Sequence, residues 1–123
     1  MRCLLDSVIV IDHLNGIPAA TEYLRSQAGH CAISVITRAE VLTGVDEPQL
    51  PLITQFLQQF PTLTMTAPIA DLAATLRRQH RWRLPDAIQA AMAQFHQLQL
   101  VTRNIRDFPP EQYAFVDVPY RLD

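Results

Sequence analysis

Five short apolar runs, separated by stretches of helical periodicity, constrain this chain more than any other feature. Cys3–Leu5, Cys31–Ile33, Leu63–Met65, Leu100–Val101 and Phe115–Val118 are too short for helices and read as strands. Between the first two, Ser7 stands as an N-cap before Val8, Ile9, Ile11 and Leu14, a helix that closes near Asn15–Gly16. A second short helix is expected over Pro18–Gln27. Ser34 caps a helix running through Glu40 to about Gly44, and Leu50, Ile53, Leu57 and Phe60 fall at helical spacing before Pro61. Ile69, Leu72, Ala73 and Leu76 form one stripe. Pro85 suits a first helical turn, with Ala87, Ile88, Ala91 and Phe95 facing inward. Strands alternating with helices predict an α/β fold, a three-layer α/β/α sandwich around a mostly parallel sheet of about five strands. No repeat, linker or charge block divides residues 1–123, so one domain is expected.

Composition narrows the class. With 49% hydrophobic and 18% charged residues the chain can bury a core, which excludes disordered and fibrous readings. No apolar run approaches the roughly 20 residues of a membrane span, and no basic leader precedes the first run. A net charge of −2 excludes a polycation that coats nucleic acid by bulk charge, although all 10 basic residues are Arg and Lys is absent. Cys3 and Cys31, both in expected strands, read as buried free thiols rather than a disulfide, and a cytoplasmic location follows.

Ligands of parallel α/β sheets gather beyond the carboxyl ends of the strands. Asp6 closes the first strand, Glu40 lies one to two turns into the helix after the second, Asp86 opens the helix before the fourth, and Asn104 follows the fourth. Taken singly, each acid has a plain structural role. Asp6 suits a helix cap, Glu40 a solvated face, and Asp86 the favourable end of a helix dipole. Taken together, acids against apolar runs pay desolvation and repel one another unless a cation relieves them. His13, His30, His80 and His96 are isolated and no CxxC occurs, so the donor set suits Mg²⁺ or Mn²⁺ rather than zinc. One or two such ions suit hydrolysis of phosphodiesters.

The segment Arg77–Arg83 carries four Arg and no acid just before Asp86, which suits a polyanionic substrate. Trp82 suits stacking on an unpaired base. A solvated helix end is the alternative for the same charges. Arg38, Arg103 and Arg106 also fall near the expected site. Asp12 reads as a surface or helix-end residue, Asp71 as the polar side of a helix, and Asp117 as an edge-strand residue. The small-residue helix Ala87–Ala93 reads as core ahead of a dimer interface.

At this point four segments resemble, in order, the motifs of PIN domains, and VapC-type toxins in particular. They are Leu4-Leu5-Asp6-Ser7 with the apolar run after it, Ser34-Val35-Ile36-Thr37-Arg38-Ala39-Glu40, Leu84-Pro85-Asp86-Ala87-Ile88, and Thr102-Arg103-Asn104-Ile105-Arg106-Asp107-Phe108. The resemblance implies a Mg²⁺- or Mn²⁺-dependent endoribonuclease, a VapB-like antitoxin that restrains it, and a homodimer. It matches Asp6, Glu40 and Asp86 to the metal-binding acids and adds Asn104 and Asp107 to the catalytic set. Arg38, Arg81, Arg83 and Arg103, with Ser7 and Thr102, become candidate RNA contacts. Ser7 replaces the usual Thr but keeps the hydroxyl. Asn104 replaces an acid that many PIN nucleases carry, which weakens the expected second metal; Asp107 either compensates or only terminates the loop before Phe108-Pro109-Pro110. By the same resemblance, Val8–Tyr23 and Leu50–Phe60 are expected to face the antitoxin.

Two other classes compete. A receiver-like signalling domain also gathers acids and Mg²⁺ at a sheet edge, but it needs a Lys that this chain lacks. A catalytically silent PIN-like module that binds RNA or protein is the remaining alternative.

Overall fold

The structure is a computed structural model that describes residues 1–122. Strands β1 (Cys3–Leu5), β2 (Cys31–Ser34), β3 (Thr62–Leu63), β4 (Gln99–Val101) and β5 (Val116–Asp117) form one sheet in the order β3-β2-β1-β4-β5, every pairing parallel. Parallel neighbours need crossovers, and six helices supply them: α1 (Ser7–Leu14), α2 (Pro18–Ser26), α3 (Val35–Thr43), α4 (Leu50–Leu57), α5 (Ala67–His80) and α6 (Leu84–Phe95). A single 3-10 turn, Glu47–Gln49, leads into α4.

The period-two alternation of the central strand divides the core in two. Leu4, with Ala32 and Leu100 in register beside it, packs against Ile69, Ala73, Leu76, Met92 and Phe108 on the α5/α6 side. Leu5, Ile33 and Val101 pack against Ile9, Val10, Val41 and Leu57 on the other. All of β1 is buried, as a strand covered on both faces must be. Helix α6 is buried continuously from Ala87 to Ala93, and its alanines let neighbouring elements approach closely. That places the small-residue helix in the core of this chain.

Several local expectations are corrected. The cap of α1 is Asp6, not Ser7: its extended backbone places its carboxylate to accept the Ser7 N–H. The third strand is Thr62–Leu63 because β2 ends at Ser34, which leaves the sheet to cap α3, so Thr64 and Met65 have no partner. Phe95 is 50% exposed rather than inward, since it lies in the last turn of α6 beyond the buried run. The free-thiol expectation also falls. Register sets Cys3 opposite Cys31 with Cα atoms 4.7 Å apart, within disulfide range, and the two are bonded. The cysteine argument for a cytoplasmic location goes with it. Among the described residues no helix is long and apolar enough to cross a membrane.

Candidate active site

The strand order reverses about β1, with β2 and β3 on one side and β4 and β5 on the other. Open parallel sheets form a crevice at such a reversal. Asp6 is the first residue beyond β1, and its N–H donates to the Val101 carbonyl at 2.9 Å. Its carboxylate is held by donors on three sides. Oδ1 accepts from the Ser7 N–H at 2.9 Å and Gln89 Nε2 at 3.3 Å, and Oδ2 accepts from Thr102 Oγ1 at 2.7 Å.

Glu40 from α3 and Asp86 from the first turn of α6 complete an acid group whose members feel one another. Burial, with the charges of Asp6 and Asp86 adding to it, pushes the Glu40 carboxyl above its ordinary range, while the Ser7 hydroxyl works against that rise. Burial and then the charge of Asp6 push Asp86 up in the same sense. Arg83 opposes this shift and Asp107 reinforces it. Arg83 Nε stands 3.5 Å from Asp86 Oδ2, an ion-pair distance too long for a good hydrogen bond. Asp86 Oδ2 is consequently a buried oxygen without a hydrogen-bond partner.

An unsatisfied carboxylate oxygen beside acids raised by burial, and further by one another's charge, is the donor chemistry a hard cation fits. Among the described residues no three His, Cys, Asp or Glu stand close enough to ligate one ion outright. Mg²⁺, which retains several waters and takes only one or two carboxylates, suits such a spread of acids better than an ion needing a full protein cage.

The other expected residues separate into two groups. Asn104 and Asp107 lock onto each other: Asn104 Nδ2 donates to Asp107 Oδ2 at 3.0 Å, and the Asp107 N–H returns to Asn104 Oδ1 at 3.3 Å. Asp107 remains near enough to act on Asp86 by its charge. Ser7 is half-buried between Asp6 and Glu40. Arg38 is partly exposed, and Arg81, Arg83 and Arg106 are exposed. Arg81 ends α5 in the left-handed region at φ 60°.

Thr102, Arg103 and Trp82 are placed otherwise than expected. Thr102 is fully buried and holds Asp6, so it cannot reach a substrate. Arg103 forms a forked ion pair with Asp12, Nε to Oδ2 at 2.7 Å and Nη2 to Oδ1 at 2.9 Å, which commits that edge of the guanidinium within the chain. Asp12 is therefore no surface residue but a buried partner that also accepts from the Tyr120 hydroxyl at 2.8 Å. Trp82 is 4% exposed and donates Nε1–H to the Asp107 carbonyl at 2.9 Å, packed on Phe108 and Tyr113, so it stacks on no base.

Sequence reasoning missed Gln89, Ser34 and Thr37 as members of the site's support. Their signal was legible: Gln89 is the one polar residue within the apolar run Ala87–Ala93, and such a residue needs partners.

A three-layer parallel fold with carboxylates collected where the strand order reverses defines an acid-centred α/β class. The PIN domain family matches residues 3–109, and the chain belongs to that family. It is 36% identical over 113 residues to ribonuclease VapC10 of Mycobacterium tuberculosis, covering 86% of this chain and 85% of that protein. It is 32% identical to ribonuclease VapC19 of the same species, over 86% of this chain and 91% of the relative. Among solved structures, a toxin–antitoxin complex from Klebsiella pneumoniae superposes with a TM-score of 0.89 at 34% identity, covering 98% of this chain and 100% of that one. FitAcB from Neisseria gonorrhoeae, at 23% identity and a TM-score of 0.79 over 96% of this chain and 98% of its own, shares the fold.

Proposed function

We propose that this chain is a divalent-metal-dependent endoribonuclease of the VapC toxin kind, hydrolysing RNA phosphodiesters at Asp6, Glu40 and Asp86. The observation that carries the reading is the buried, unpartnered Asp86 Oδ2 beside two further carboxylates in a PIN domain. The ribonuclease names of VapC10 and VapC19 support the substrate class. A VapB-like antitoxin, a homodimer and a cytoplasmic site of action belong to the same reading, and the Klebsiella toxin–antitoxin complex supports the first of these.

Asp6, Glu40 and Asp86 would hold one or two Mg²⁺ or Mn²⁺ ions. An ion held by these carboxylates would supply a water of lowered pKa and positive charge to offset the negative charge developing on phosphate. The chain's own residues do the rest. Ser7, Gln89 and Thr102 fix the Asp6 carboxylate through its two oxygens. Partial desolvation, greater at Asp86 than at the more exposed Glu40, and the charges of neighbouring acids disfavour the charged carboxylates, which a cation would relieve. Asn104 and Asp107 form a closed turn beside Asp86, and the turn brings Asp107's charge to the site in place of the acid that Asn104 lacks. Arg83, with Arg81 and Arg38, lies open to RNA phosphates. Thr102 and Trp82, both buried, are assigned to support of the site rather than to RNA, and Arg103 is held by Asp12.

A second reading, a PIN module that binds RNA or protein without cutting, is favoured by one feature. Asn104 is neutral and its amide is already committed to Asp107. Incubating the purified chain with labelled single-stranded and stem-loop RNAs in Mg²⁺, Mn²⁺ or EDTA, beside an Asp86→Asn variant, separates the two. Metal-dependent cleavage that vanishes in the variant supports the nuclease. RNA binding without cleavage supports the module.

A further inference from the structure

Gln89 is 2% exposed and sits on α6 among alanines, where a polar amide is costly unless each of its groups is bonded. Its bonds run in one direction only. Ser34 Oγ accepts the Thr37 N–H at 3.0 Å and gives its single proton to Gln89 Oε1. Thr37 Oγ1 gives its single proton to the Leu5 carbonyl at 3.0 Å, so it meets Gln89 as an acceptor, from Nε2 at 2.7 Å. The second Nε2 proton remains, and it goes to Asp6 Oδ1 at 3.3 Å. The hydroxyl protons are thus committed in a way that fixes which end of the amide faces the carboxylate.

This relay joins the carboxyl ends of β1 and β2 to α3 and α6, and so touches all three elements that place the acids: β1 for Asp6, α3 for Glu40 and α6 for Asp86. Thr102 grips Asp6 from the β4 side. Resting on the metal-nuclease reading above, we infer that Gln89 is a positioning residue: anchored by Ser34 and Thr37, it sets the orientation in which Asp6 meets a divalent cation at the acid group. Partners that orient a metal ligand typically govern about 10- to 100-fold in metal affinity or activity.

The test compares Gln89→Met, which keeps length and loses the amide, and Gln89→Glu, which turns the donor facing Asp6 into an acceptor, with wild type. Gln94→Met, on the exposed side of the same helix, is the control. Mn²⁺ affinity is read by calorimetry, fold by thermal melting, and kcat and KM on a cleaved RNA. Expected are a 10- to 100-fold weaker Mn²⁺ affinity and a lower kcat with unchanged KM in both Gln89 variants, and wild-type values in Gln94→Met. Wild-type Mn²⁺ affinity in folded Gln89 variants, with only the melting temperature lowered, would overturn the role. Should Gln89→Met not fold, Thr37→Val removes one anchor at nearly constant volume, and undiminished Mn²⁺ affinity there overturns it equally. A wild-type chain that neither binds Mn²⁺ nor cuts RNA defeats the nuclease reading itself. A wild type that binds and cuts, with Gln89 variants its equal, defeats the positioning role alone.

Discussion

Asp6 and Asp12 lie on one short segment, and both are buried, yet their surroundings are opposite. Asp12 meets Arg103 in a forked ion pair and accepts from Tyr120, so its charge is answered within the chain. Asp6 meets only neutral donors, and its charged neighbours, Glu40 and Asp86, are acids. One cluster closes on itself, tying the start of the chain to the loop after β4 and to the C-terminal tail. The other gathers like charges opposed by the long, exposed contact of Arg83, and holds an oxygen on Asp86 without a hydrogen-bond partner. The first holds the fold together, whereas the second carries charge that a bound cation would answer.

The largest expected effect breaks the open cluster. Asp86→Asn should lower metal-dependent RNA cleavage about 100-fold or more, since loss of a metal ligand forfeits several kcal/mol of transition-state stabilisation. Its melting temperature without metal should stay level or rise, because a repulsive charge has gone. A large loss of stability would show that the two clusters are alike after all.

The converse substitution breaks the closed cluster. Asp12→Ala strands Arg103, which retains 30% of its side-chain exposure, so the cost should fall somewhat below that of a fully buried broken pair, at roughly 2–3 kcal/mol. Urea unfolding measures it. Cleavage per folded molecule should fall less than tenfold, because no acid of the open cluster is touched.

Acidity sharpens the contrast by sign. Hydrogen bonding by Arg103 holds Asp12 below the ordinary carboxylate value of 3.8, with Tyr120 assisting against the opposing effect of burial. Its contribution to stability is full above 3.8 and is lost as pH falls through its lower folded value. Glu40 and Asp86 are raised, so theirs is full below the unfolded values and lost as pH rises through the folded ones. Melting curves from pH 2 to pH 7 should show Asp12→Asn losing the acid-side dependence and Asp86→Asn gaining most at neutral pH.

How far these clusters could be read from the amino-acid order differs for the same reason. Asp6, Glu40 and Asp86 each abut an apolar run or open a helix, so strand–helix alternation alone carries them to one edge of a parallel sheet. Asp12 pairs with Arg103 and Tyr120, which lie near the other end of the chain, and no local period announces such a partner. The Cys3–Cys31 bond was hidden likewise, because it depends on the register of two strands. Thr102 and Trp82 were placed in the right region but on the wrong side of the surface. A hydroxyl or an indole suits either a substrate or a buried carboxylate or carbonyl, and only packing decides.

The smallest expected effect concerns charge that neither cluster uses fully. Arg83 is mostly exposed and its contact with Asp86 is long, so Arg83→Gln should change stability by less than about 1 kcal/mol. RNA affinity should weaken a few-fold for every sequence, with the slope of log affinity against log salt reduced by roughly one.

The most direct measurement is the shift in melting temperature caused by Mn²⁺ in wild type, Asp12→Asn and Asp86→Asn at neutral pH. An ion that binds only the folded state raises stability by about 2.7 kcal/mol at 100 times its dissociation constant. A clear upward shift is expected in wild type and in Asp12→Asn from their different starting points, and none in Asp86→Asn. An equal shift in all three would place the cation elsewhere and contradict the assignment of the open cluster as the metal site.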